Sequence, residues 1–152
     1  YGLREPLGPR GLPLFAPPYA RVTAIDLDRG EIRWQSPVGE GPRRRVEELT
    51  GRDPGPLGSS TGLVHALVTR TLVLVTKQSG RTPDDPGGLW AFHKGDGSLV
   101  AFVDLSELGA EPGGSPITYL EGGRQLVVVA VTRAAGEQEL LALALRAPAP
   151  SN

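Results

Sequence analysis

Hydrophobic positions along this chain come in short runs, and nearly every run is closed by Gly, Pro or Asp. That punctuation predicts strands and turns rather than helices. Nine strands are expected, over Val22–Leu27, Glu31–Val38, Gly62–Thr69, Thr71–Lys77, Leu89–His93, Ser98–Asp104, Ser115–Leu120, Gln125–Thr132 and Glu139–Leu145. The run Leu72-Val73-Leu74-Val75 is apolar on both faces, as a strand covered on both sides requires. Leu140, Leu141, Leu143 and Leu145 fit a strand about as well as a helix, and they are assigned to a strand. The long connection Gly39–Ser60 has room for one helical turn at most, at Arg45–Leu49. Segments Gln78–Gly88 and Leu105–Gly114 read as loops, with Glu121-Gly122-Gly123-Arg124 as a hairpin turn. Residues 1–20, rich in Pro and Gly, form an extended lead-in; residues 21–145 form one all-β unit; residues 146–152 form a flexible tail.

Composition narrows the function. The 152 residues suffice for one compact core. With 16 basic and 17 acidic side chains, nothing points to a nucleic-acid surface or a polybasic membrane patch. The cluster Arg43-Arg44-Arg45 is followed at once by Glu47-Glu48, and it reads as a solvated face rather than an anion site. The absence of Cys excludes disulfides, thiolate metal sites, a Cys nucleophile and c-type haem attachment. The apolar run up to Val131 is far shorter than the ~20 residues of a membrane span. The chain opens on Tyr1 with no signal-like segment, which predicts an internal stretch of a longer protein.

The most informative stretch is Arg21–Val38. A strand ends in Ala24-Ile25-Asp26, turns through Leu27-Asp28-Arg29-Gly30 and returns through Glu31-Ile32-Arg33-Trp34. Aligning Ala24 with Ala91 places Gly30 on Gly97, so the pattern repeats. The second copy has His93 in place of Asp26, and Ala101 beside Phe102 in place of Trp34. The first copy resembles the tryptophan-docking repeat of quinoprotein β-propellers, roughly A-x-D-x-x-T-G-x-x-x-W, with Arg29 where the Thr is usual. Several phrases then follow in the order of the C-terminal part of quinoprotein glucose and alcohol dehydrogenases. They are Gly11-Leu12-Pro13-Leu14 with Pro17-Pro18-Tyr19, Leu89-Trp90-Ala91-Phe92, Ser115-Pro116-Ile117-Thr118-Tyr119 and Gln125–Ala130.

The resemblance implies a sector of a β-propeller: about two four-stranded antiparallel blades plus strands of a neighbouring blade. It implies a parent dehydrogenase that oxidises a sugar or alcohol with pyrroloquinoline quinone and Ca²⁺. It implies a respiratory electron acceptor, a partner in the N-terminal remainder of the propeller, and a site in the periplasm or on the periplasmic face of the inner membrane. Ala24, Asp26, Gly30 and Trp34 are then structural docking residues. The loops before the innermost strands face the axis, which makes Ser59, Ser60, Thr61, Gly62 and Ser115 candidates for cofactor contact, with Gly114 less strongly placed. A catalytic base and Ca²⁺ ligands map onto no residue. Two alternatives stay open: a non-enzymatic propeller scaffold of the outer-membrane assembly type, and an inactive remnant.

Other constellations favour plain readings. His65 and His93 read as packed or edge side chains. Asp84-Asp85 reads as a solvated turn rather than a Ca²⁺ contact. No phosphate-binding Gly loop and no G-x-S-x-G nucleophile motif is present.

Overall fold

The computed structural model describes residues 7–80, 82 and 84–144. Three antiparallel sheets are formed among them. The first is a hairpin of β1 (Arg21–Asp26) and β2 (Glu31–Pro37). The second is a four-stranded meander of β3 (Val64–Val68), β4 (Leu72–Lys77), β5 (Gly88–His93) and β6 (Leu99–Asp104). The third centres on β9 (Arg124–Arg133), which pairs with β10 (Gln138–Ala144) on one side. On β9's remaining edge, β7 (Ala110–Pro112) and β8 (Ile117–Glu121) pair with different stretches of it. The expected sector of a β-propeller is therefore what the chain forms.

Alternation along β4 explains the stacking. Leu74, with partly buried Leu72, faces the third sheet and joins Leu89, Leu105, Ala110, Val129 and Val131 in one core. Val73 and Val75 face the hairpin and join Val38, Trp90 and Phe92 in a second core. A strand that supplies both cores has no polar face, which is why its sequence reads as an unbroken apolar run.

Two segments depart from expectation. The connection after β2 holds a full helix, α1 (Arg43–Thr50), rather than one turn. Gly51 ends it in the left-handed conformation (φ 69°), with its N–H on the Glu47 carbonyl. Arg44 and Arg45 both pair with Glu48 one turn on, and Val46 and Leu49, three residues apart, form its half-buried apolar side. The stretch expected as the loop Leu105–Gly114 contains β7, giving ten strands among the described residues. In the lead-in, residues Pro9–Gly11 form a 3₁₀ turn. The tail 146–152 and Leu145 lie outside the described residues, while β10 confirms the strand assignment of Leu140–Leu143.

The two ends of the stack carry exposed apolar side chains, Ile25 and Ile32 on the hairpin and Ile117, Leu120 and Leu140 on the last sheet. Unpaired edges and apolar faces of this kind drive association. The 152-residue chain alone is expected to self-associate, and analytical ultracentrifugation checks this. A stable dilute monomer would contradict it.

Candidate functional site at the loop end of the sheets

Side chains tie the connection β2–β3 to β4–β5, and β4–β5 to strand β7. Asp85, in the β4–β5 loop, accepts the Glu40 N–H at 3.1 Å and pairs with Lys77 Nζ at 3.0 Å. Lys77 ends β4, is fully buried, donates to the Gln78 carbonyl at 2.8 Å and lies 5.6 Å from the Trp90 ring centre. Burial pushes the Lys77 ammonium down from its usual range, and the Asp85 carboxylate opposes that shift. Glu111 of β7 accepts both the N–H and the hydroxyl of Ser79, joining the β4–β5 loop to the third sheet. Arg44 on α1 reaches Asp84 at 3.1 Å.

The expected reading of Asp84-Asp85 as a plain solvated turn is thus corrected. Asp85 is buried against a cation, and Asp84 is the partner of Arg44. The arginine cluster is not an anion site either. Arg43 grips Asp53 through two bonds and also meets Glu40, and Arg45 pairs with Glu48.

The bonds from Arg43, with the Gly55 N–H second, hold the Asp53 carboxyl at about 2, below its ordinary 3.8. A depressed carboxylate pKa contributes stability that is complete above the ordinary value and is lost as pH falls through the folded one. In carboxyl-detected NMR, Asp53 is therefore expected to titrate near pH 2, and Arg43→Gln to move its midpoint up toward the ordinary value.

Ser59, Ser60, Thr61 and Gly62 lie where a short backbone ladder meets the lead-in. Ala20 N–H donates to the Ser59 carbonyl (2.9 Å), Ser59 N–H to Val38 (2.8 Å) and Val38 N–H to Ala20 (3.0 Å). Gly58 has φ 77°, and a Cβ there would overlap the Ala20 carbonyl oxygen, so only glycine allows the lead-in to approach. Ser59 is buried, and its hydroxyl is spent on the Thr61 carbonyl at 2.6 Å. Ser60 and Thr61 are half-buried and separate two recesses. One, of about 400 Å³, is shared with Phe15, Tyr19 and Gly62; the other, of about 200 Å³, is shared with Pro13, Pro42, Thr82 and Asp85. Ser115 is exposed, just ahead of β8. The carbonyl of neighbouring Gly114 accepts the Thr76 hydroxyl at 2.8 Å. The five candidates are thus four residues in one place and a fifth on the next sheet. Among the described residues, no group of three or more His, Cys, Asp or Glu converges to hold a metal ion.

At the opposite end, the two copies of the repeat have the same backbone. Ala24 pairs with Trp34 and Ala91 with Ala101, and an irregularity in the pairing follows each alanine. Gly30 N–H closes on the Asp26 carbonyl (2.7 Å) and Gly97 N–H on the His93 carbonyl (2.8 Å). The Asp26 carboxylate accepts the N–H groups of Asp28 and Arg29. In the second copy, Asp96 pairs with His93 and caps Ser98. The Trp34 ring covers Gly97, its Nε1–H donates to the Lys94 carbonyl at 2.9 Å, and the Ser36 hydroxyl donates to the Gly97 carbonyl at 2.5 Å.

A family model described as "PQQ: Glucose/ethanol/alcohol dehydrogenase, beta-propeller domain" matches residues 1–127. The chain belongs to that PQQ dehydrogenase β-propeller family. It is also 38% identical over 130 residues to the probable quinate dehydrogenase (quinone) of Xanthomonas campestris pv. juglandis. That match covers 78% of this chain and 14% of the relative, so the chain spans a small part of its relative's length. No solved structure matches. Within a PQQ-family propeller, Lys77, Asp85, Ser79 and Glu111 are the loop-linking residues that sequence reasoning missed. The available signal was Lys77 itself, a charged residue closing an otherwise apolar strand.

Proposed function

We propose that this chain is one sector of a quinoprotein dehydrogenase and that its loop end faces the cofactor. The family match over residues 1–127 carries this reading. Ser60 and Thr61 support it, because no described residue bonds their hydroxyls and both line recesses. Two hydroxyls and the backbone of Gly62 are suitable donors for carbonyl or carboxylate oxygens along one edge of pyrroloquinoline quinone. The described residues do not fit Ca²⁺, which takes 6–8 oxygens, because no three acidic or imidazole side chains among them converge. When bound, the quinone supplies the electron sink for oxidation of a carbinol. The part played by this chain is to bind and orient. The Lys77–Asp85 pair and the Ser79–Glu111 bonds fix the β4–β5 loop, and Asp85 ties that loop, through the Glu40 N–H, to the connection from which Ser60 and Thr61 project. Ser115 takes the equivalent place before β8.

The substrate is proposed to be a sugar or alcohol, and the relative named for quinate directs the first trials to that hydroxy acid. Electrons pass to a respiratory acceptor of the quinone type, at the periplasmic face of the membrane. Trp34, with Ala24, Asp26 and Gly30, docks one blade on the next. The test is a quinone titration of the intact native protein and of its Ser60→Ala, Thr61→Val double variant. Loss of two hydrogen bonds of about 1 kcal/mol each predicts roughly tenfold or greater weakening. Unchanged affinity in the double variant removes these residues from the site. No quinone binding by the intact protein favours the scaffold reading.

A further inference from the structure

The turn that carries Ser60 and Thr61 is held by backbone on both sides. On one side, Leu57, Gly58 and Ser59 donate their N–H groups to the carbonyls of Glu40 (3.2 Å), Gly39 (3.1 Å) and Val38 (2.8 Å). On the other, the lead-in donates to the same stretch, Tyr19 N–H to the Leu57 carbonyl (3.0 Å) and Ala20 N–H to the Ser59 carbonyl (2.9 Å). Three stretches remote in sequence, 38–41, 57–59 and 19–20, therefore run side by side. The Glu40 peptide also links them to the buried pair, because its N–H donates to Asp85 while its carbonyl accepts from Leu57.

Glycine sets the spacing. Gly41 has φ 61°, and a Cβ there would overlap the Gly58 carbonyl oxygen and lie 3.0 Å from the Gly58 carbonyl carbon. Gly58 meets Ala20 in the same manner. These contacts are backbone on backbone, so no side chain can turn aside to admit an extra atom. A larger residue at 41 is accommodated only if the 57–59 stretch shifts, and Ser60 and Thr61 follow directly on that stretch. Binding groups must be held to within about 0.5 Å of their working geometry, so a shift of atomic size is enough to matter.

We propose that Gly41 is a positioning residue for the cofactor site, fixing through Gly58 the place of the Ser60 and Thr61 hydroxyls before any ligand binds. This rests on the reading of those two residues as quinone contacts. Gly51 supplies the comparison. Its φ is 69°, yet a Cβ there meets nothing within 4 Å. Alanine at either position carries the same kind of backbone strain, and only at Gly41 does it press on the turn.

The experiment compares Gly41→Ala with Gly51→Ala in the intact native protein, by amide hydrogen exchange without quinone and by quinone titration. Gly41→Ala alone is expected to speed exchange at the Ser59 and Ala20 amides and to weaken quinone binding roughly tenfold or more. Gly58→Ala, whose Cβ meets the lead-in instead, is expected to act likewise, and it keeps the test decisive if Gly41→Ala does not fold. Unchanged exchange, or wild-type quinone affinity in a folded variant, would overturn the proposal and leave these glycines a packing role only. Equal weakening by Gly51→Ala would also overturn it, since strain rather than contact would be the cause. Absence of quinone binding by the wild type would remove the reading on which the proposal rests, and the proposal with it.

Discussion

Asp85→Ala is expected to destabilise the chain by about 3–5 kcal/mol, the cost of stripping a buried charge of its partner. Three losses coincide. Lys77 Nζ, sealed from solvent, loses the carboxylate 3.0 Å away; the Glu40 N–H loses its acceptor; and the β4–β5 loop loses its tie to the segment after β2. The ammonium keeps only the Gln78 and Asp85 carbonyls and the face of Trp90. Deprotonation of Lys77 limits the loss at high pH, because burial already lowers its pKa. The variant should therefore be least damaged in alkaline solution. Lys77→Met strands the buried Asp85 carboxylate in its turn, leaving it the Glu40 N–H alone among the described residues, so a loss of comparable size is expected, and the double variant, which leaves no unpaired charge, should cost less than the sum of the two. Denaturant unfolding of the two single variants and the double variant measures the coupling. Additive single effects would show that the pair contributes nothing beyond its separate contacts.

Trp34→Ala is expected to cost about 3 kcal/mol, the low end for a large aromatic because the ring is half-buried. The ring covers Gly97 and bonds the Lys94 carbonyl, so its removal opens the junction between the hairpin and the second sheet. Trp34→Phe keeps most of the covered area and loses the hydrogen bond, and should fall between the two. Gly97→Ala tests the same contact from the opposite side. A Cβ there would overlap the indole, and the residue has φ 74°, so a loss of comparable size is expected. If Trp34→Ala unfolds at the wild-type denaturant midpoint, the indole does not hold the junction.

What could be read from the chain depended on how local each signal was. The Ala24-to-Trp34 hairpin is contiguous, and its strands and turn were legible from residue types alone, whereas the shift in pairing after Ala24 was not. The double burial of β4 showed in the unbroken run Leu72–Val75. Helix α1 was underestimated because its support lies largely in pairs such as Arg44–Glu48 and in the cap at Gly51, with Val46 and Leu49 its only apolar residues. Strand β7 escaped because three residues ending in Pro112 carry no period, and pairing with the far end of β9 decides their state. The Lys77–Asp85 pair was illegible because nothing in a Pro/Gly/Asp loop shows which carboxylate turns inward. Ser60 and Thr61 were placed by strand order, while the lead-in residues that complete their recess, Phe15 and Tyr19, became visible only in three dimensions.

The burial of Lys77 has a practical consequence. The chain contains only two lysines, Lys77 and Lys94. With Lys77 closed to solvent, Lys94 is the one side-chain amine open to acylating or alkylating reagents. Its carbonyl is the acceptor of the Trp34 indole. A single dye coupled to Lys94 would therefore sit beside a native tryptophan donor, turning the first blade junction into its own fluorescence gauge without any engineered residue.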